Sequence, residues 1–269
     1  MDEFLSDVHV AKLPLPAHLV RFFSPLKGVD VVTDSQAPAG AGLAGSSTLM
    51  VAVAGALRRL TGNQSGKEKL REIVQNVEAQ VIGVPTGCQD YYPALYGGVN
   101  AIELGPGGVK RVPIAVDAAE LDARIVLAYT GAPRQSGINN WQVMKAHIDG
   151  DRRVHRNFDQ IAAIARAMRA ALERADWVEA GRLMCEEWAH RKRNAPGISI
   201  ALIDRLVRVA RNAGAAGAKV CGAGGGGCVA FLVERGAKPR VEAALRAQGA
   251  SLISARLARR GLRVEAVPE

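Results

Sequence analysis

The chain has 269 residues, 48% of them hydrophobic, and a formal net charge of +9. That is enough to bury a sizeable core in one large or two modest domains. No apolar run reaches membrane-span length, and the acidic start Met1-Asp2-Glu3 is unlike a secretory signal. The positive charge, much of it in arginines between Arg152 and Arg211, reads either as a solvated helix face or as a surface that attracts an anionic ligand. With aromatics at 4% and no basic-aromatic interleaving, the pattern is not that of a single-strand binder, and no nucleic-acid partner is expected.

In chain order, a polar start precedes a helix-like piece, Pro16–Phe23, and a strand, Val29–Thr33. Pro38-Ala-Gly-Ala-Gly-Leu-Ala-Gly-Ser-Ser-Thr48 then leads into a largely buried helix, Ser46–Leu60. A glycine loop opening a helix offers free amides and the positive end of the dipole, which together hold phosphate. No Lys follows the glycines, so this is not the common nucleotide loop, and the dinucleotide spacing is absent too. The alternative is a tight turn with a serine N-cap. Lys67–Val81 is a second helix, with Leu70, Ile73, Val74, Val77 and Val81 on one stripe. A loop, Gly83–Gly87, precedes a short helix, Asp90–Tyr96. Val99–Leu104 and Val109–Val116 form a hairpin about a glycine-rich turn. Arg124–Tyr129 is a strand, followed by a loop, 131–155, that divides the chain into domains 1–140 and 141–269. Helices follow at 157–175, Trp177–Arg191 and Ile198–Ala213.

A second glycine run, Lys219-Val-Cys-Gly-Ala-Gly-Gly-Gly-Gly-Cys228, precedes the apolar strand Val229–Val233. Four consecutive glycines cost backbone entropy and need a reason. A linker is the alternative, but linkers are not flanked by a buried strand. A helix, Lys238–Gln248, and a strand, Leu262–Val267, close the chain. Cys88, Cys185, Cys221 and Cys228 show no metal spacing and read as reduced thiols of a cytoplasmic protein.

These segments carry a resemblance. Pro38–Thr48 resembles the second motif of the GHMP kinases, and Lys219–Cys228 resembles the third. Gly87-Cys-Gln-Asp-Tyr-Tyr92, Gly97-Gly-Val-Asn100, and Tyr129-Thr-Gly131 with Arg134, Ser136, Asn139 and Asn140 are similar to the family's heptose 7-phosphate kinase branch. The resemblance runs from about residue 15 to the end. It implies an α+β, two-domain fold: an N-terminal part like ribosomal S5 domain 2, seemingly truncated, and a ferredoxin-like C-terminal part. The family's first motif has no counterpart before Pro38. A late start, a truncated gene or a separate chain supplying the strands would each account for that. An exposed sheet edge left by lost strands favours self-association, such as a homodimer. Ala44 stands where the family usually has Gly, Gly45 where this branch usually has Thr or Ser, and Thr48 for Ala.

The implied activity is transfer of the γ-phosphate of ATP, with Mg²⁺, to a hydroxyl of a small sugar or sugar phosphate. The resemblance assigns ATP to Pro38, Gly40, Gly42, Leu43, Ala44, Gly45, Ser46 and Ser47, and Mg²⁺ to Ser47 and Glu78. It makes Asp90 the base and gives the acceptor to Gln89, Tyr92, Arg134 and Ser136. Gly222, Gly224, Gly225, Gly226 and Gly227 form a supporting glycine motif. Glu78 could otherwise be a solvated helix carboxylate, and Asp90 an N-cap. Two other classes stay open: a catalytically incompetent nucleotide-binding remnant or subunit, and an RNA-binding protein using its basic face.

Overall fold

The computed structural model describes residues 13–132 and 136–267. In chain order the elements are α1 (Pro14–Phe23), α2 (Gly45–Leu60), α3 (Lys67–Ile82), α4 (Tyr91–Tyr96), β1 (Val99–Gly105), β2 (Gly108–Ile114), α5 (Ala118–Arg124) and β3 (Ile125–Tyr129). Then come α6 (Ser136–Ile148), α7 (Arg152–Glu173), α8 (Trp177–Lys192), α9 (Ala201–Asn212), β4 (Ala215–Val220), β5 (Cys228–Val233), α10 (Lys238–Arg246) and β6 (Ser251–Ile253). Aspartates set several helix starts. Asp117, Asp151 and Asp176 each accept first-turn amides of the helix that follows. No helix among the described residues is long and apolar enough to cross a membrane.

The contacts group the chain into two compact units whose bounds differ from a 1–140 and 141–269 division. The first comprises 1–36, 44–111 and 258–269, and the second comprises 37–43 and 112–257. The reason lies in strand pairing. β3 is bonded antiparallel to β5, with Ile125 opposite Leu232 and Tyr129 opposite Cys228, so it belongs to the later sheet.

The first unit packs α1, α2, α3 and α4 around Leu19, Met50, Val51, Leu57, Leu70, Val74, Tyr91 and Leu95. The β1–β2 hairpin is its sheet. The tail returns to it without forming the expected strand at 262–267. Gly98 N–H donates to the Ala258 carbonyl (2.7 Å) and Leu262 N–H to the Ala94 carbonyl (2.8 Å). These isolated bonds fall within and just after α4 rather than make a ladder. A Cβ at Gly261 would lie 2.3 Å from the Leu95 carbonyl carbon, so the close approach requires glycine there. Residues 29–33 are likewise not a strand; Val31 and Val32 are exposed.

The second unit holds a four-stranded sheet of order β4-β5-β3-β6. Numbered within that unit, the strands run 2-3-1-4, with helices between first and second and between third and fourth. This is the ferredoxin-like β-α-β-β-α-β arrangement. Its core, around Val126, Trp188, Ile203, Leu206, Val229, Phe231, Val241 and Leu245, joins the sheet to α8, α9 and α10. The expected loop 131–155 contains a helix, α6, which carries Ser136, Asn139 and Asn140.

Gly97 and Gly98 separate two effects. Both have φ +68. Gly97 has ψ −171, a region open essentially to glycine, and a Cβ there would lie 2.6 Å from the Arg260 backbone. At Gly98 nothing lies within 4 Å. Gly98→Ala is expected to cost about 1 kcal/mol in urea unfolding and Gly97→Ala more than ~2 kcal/mol. Equal losses would contradict the tail's docking.

Candidate active site

The two glycine-rich segments meet within the second unit. Pro38–Leu43 forms a turn, with Ala41 N–H donating to the Pro38 carbonyl (3.1 Å). Ala41 is buried, and its carbonyl accepts the Cys228 amide at 2.7 Å. A Cβ at Gly42 would stand 2.5 Å from the Cys221 carbonyl oxygen, and one at Gly227 would stand 2.7 Å from that of Ala41. The second run is therefore a surface against which the first is pressed. It is itself held by backbone bonds. Thr130 donates its amide and its hydroxyl to the Gly227 carbonyl (3.0 and 2.9 Å). Gly227 N–H donates to Ala132 and Gly225 N–H to Ile198 (both 2.9 Å). Gly222, Gly224 and Gly226 also sit at positive φ.

From Leu43 the chain passes to Ala44, the N-cap of α2, at φ +59 and ψ +30. An alanine occupies a left-handed position better suited to glycine. No side chain caps α2, which removes the serine N-cap alternative. The amides of Gly45, Ser46 and Ser47 lie in the first turn, where the helix supplies no acceptor and the dipole favours an anion.

The serine side chains point elsewhere. Ser46 Oγ donates to Glu78 Oε1 (2.7 Å) and Ser47 Oγ to Glu78 Oε2 (3.2 Å). Tyr91 OH donates to the same Oε2 (2.7 Å) and lies 3.3 Å from Thr86 Oγ1. Glu78 is 5% exposed and Tyr91 0%, so the carboxylate is enclosed rather than solvated. Burial pushes the Tyr91 hydroxyl pKa up, and its bond to Glu78 adds to this, so it stays a donor. Ser47 Oγ and the Glu78 carboxylate are hard oxygen donors, side by side, of the kind Mg²⁺ takes while keeping its waters.

Asp90 immediately precedes Tyr91, at φ −69 and ψ −28, and its side chain does not cap α4. It is half-buried, beside Cys88. Burial raises the Cys88 thiol pKa, the Arg71 charge opposes this, and the Asp90 charge adds to it.

The residues expected to hold the acceptor fare differently. Gln89 is exposed, with its amide folded against Gly87, where a Cβ would meet Gln89 Oε1 at 2.3 Å. Arg134 lies outside the described residues, and Ser136 opens α6. Tyr92 is a correction. It is 1% exposed, its hydroxyl donates to Glu68 Oε2 (3.0 Å), its ring stacks on Tyr96 and the Arg71 guanidinium lies over the ring at 5.7 Å from the centroid, so the ring is already covered by protein. Sequence reasoning did not find the Tyr91 hydroxyl or Thr86. The available signal was that a tyrosine buried beside a loop needs a partner for its O–H.

The family model for the GHMP kinases N terminal domain matches residues 10–98, and that for the GHMP kinases C terminal matches 168–251. The D-glycero-alpha-D-manno-heptose 7-phosphate kinase of Campylobacter jejuni is 31% identical over 80% of this chain and 64% of its own length. The mevalonate kinase of Pyrococcus horikoshii is 31% identical over 89% of this chain and 70% of its own. The chain thus spans about two thirds of the length of these relatives. The galactokinase of Lactococcus lactis, solved with galactose, shares the fold at a TM-score of 0.72 and 20% identity, covering 93% of this chain and 76% of that one.

Tyr91→Phe removes a donor from an enclosed carboxylate and is expected to lower stability in urea by about 1–3 kcal/mol. Tyr92→Phe, whose hydroxyl meets a half-exposed carboxylate, should cost less than ~1 kcal/mol. Equal losses would mean that Glu78 does not depend on the Tyr91 hydroxyl.

Proposed function

The chain belongs to the GHMP kinase family, and on that footing we propose that it transfers the γ-phosphate of ATP to a hydroxyl of a small sugar or sugar phosphate of the heptose 7-phosphate kind. One observation supports this reading above the rest. A buried carboxylate, Glu78, is bonded to two serines in the first turn of a helix that no side chain caps.

The amides of Gly45, Ser46 and Ser47 receive phosphate oxygens. Ser47 Oγ and Glu78 would hold a divalent ion, which would offset charge on the phosphate oxygens. Asp90 accepts the proton of the attacking hydroxyl. Gln89, Arg134 and Ser136 are the residues assigned to the acceptor.

A second reading, a mevalonate-type acceptor, is supported by a relative of that activity matching a larger share of this chain.

ADP release from Mg-ATP, measured against a panel that includes heptose 7-phosphate and mevalonate, separates these readings. The expectation is acceptor-dependent release with a sugar phosphate, lowered at least ~100-fold in Asp90→Asn. Release with mevalonate alone would favour the second acceptor. Absence of release from folded, ATP-binding protein would favour the remnant.

A further inference from the structure

α3 carries Arg71, Gln75 and Glu78 at spacings that put them on one stripe. Glu78 belongs to the site described above. Gln75 reaches the turn that carries Asp90, and Arg71 holds Gln75. Arg71 Nη1 donates to Gln75 Oε1 (2.5 Å), and Gln75 Nε2 donates to the Thr86 carbonyl (3.1 Å). At its other end the turn is held by Tyr91, whose hydroxyl reaches both Thr86 Oγ1 and Glu78. The segment Thr86–Tyr91 is thus tied to α3 at both ends, with Cys88 and Asp90 between them.

Arg71 orients this connection. A Gln amide can present either its oxygen or its NH₂ to a neighbour. With the guanidinium on one side, the oxygen must face Arg71 and the NH₂ must face Thr86. The cation is an expensive way to achieve packing alone. Arg71 is 9% exposed, and burying a charge is costly unless it is well paired. Its carboxylate partners are Glu68 (3.4 Å) and Glu72 (3.8 Å), with side chains 55% and 47% exposed, so those pairs return little.

We propose that Arg71 and Gln75 are positioning residues for Asp90. Arg71 sets the Gln75 amide, the amide pins Thr86, and the pinned turn fixes where the Asp90 carboxylate stands. This rests on Asp90 being the base of the proposed kinase.

The test uses Gln75→Leu, which loses both bonds, Gln75→Glu, which keeps the acceptor for Arg71 but loses the donor to Thr86, and Arg71→Lys. Cys88 is a built-in reporter, 5% exposed and inside the pinned turn, with Cys228, 0% exposed in the other unit, as control. Iodoacetamide alkylation is followed peptide by peptide. Cys88 should label at least about tenfold faster in both Gln75 variants, with Cys228 unchanged, because local opening and global unfolding are separable. Kinetics supplies the second readout. kcat should fall at least ~10-fold while KM for Mg-ATP stays within about twofold, and Arg71→Lys should retain an intermediate kcat.

Unchanged Cys88 labelling overturns the pin whether or not the chain is a kinase. Cys88 and Cys228 accelerating together also overturns it, because the residues would then only support the fold. Faster Cys88 labelling with unaltered kcat overturns the positioning role. If the parent releases no ADP with any acceptor, the kinase reading fails and takes the role of Asp90 with it, while the Cys88 rates still decide whether Gln75 pins the turn.

Discussion

The hydrogen bond from the Cys228 amide to the Ala41 carbonyl is the constraint on which the rest depends. It fastens one glycine run to another far along the chain, at a distance that leaves no room for a side chain at Gly42 or Gly227. Because the bond joins backbone groups that are both buried, breaking it would strand a donor and an acceptor away from water. The turn Pro38–Leu43 is therefore fixed by the sheet of the second unit. A loop left free would lose conformational entropy each time it closed on an anion. One already pressed into place has lost most of it in folding.

Glu78 follows a related logic in the first unit. Its carboxylate is enclosed by three hydroxyl donors, from Ser46, Ser47 and Tyr91. Hydroxyls satisfy a buried carboxylate without cancelling its charge. They also rotate, so the same oxygens can turn from donating to Glu78 to offering lone pairs. That arrangement gathers oxygen donors of the kind a hard cation would take.

Much of this was legible in the sequence. The glycine runs stand out because their residue type is dictated by positive φ and close backbone approach. The helices Gly45–Leu60 and Lys67–Ile82 follow from their apolar stripes. What was missed depends on distant partners. The apolar tail around Leu262 has the composition of a strand but lies against α4, because Gly261 lets it come within contact of the Leu95 backbone. The polar segment opening at Ser136 has little apolar periodicity, and its helix is not written in any stripe. Tyr91 and Tyr92 are adjacent and chemically identical. Only the contacts show that one hydroxyl serves Glu78 and the other Glu68. Arg71 and Gln75 looked like any polar residues of an amphipathic helix.

The most direct test is a crystal structure with Mg²⁺ and a non-hydrolysable ATP analogue. The account predicts phosphate oxygens on the amides of Gly45, Ser46 and Ser47, with Ser47 Oγ and a Glu78 oxygen about 2.1 Å from the metal. An ordered nucleotide seated elsewhere, with Glu78 still enclosed by its three hydroxyls, would contradict it.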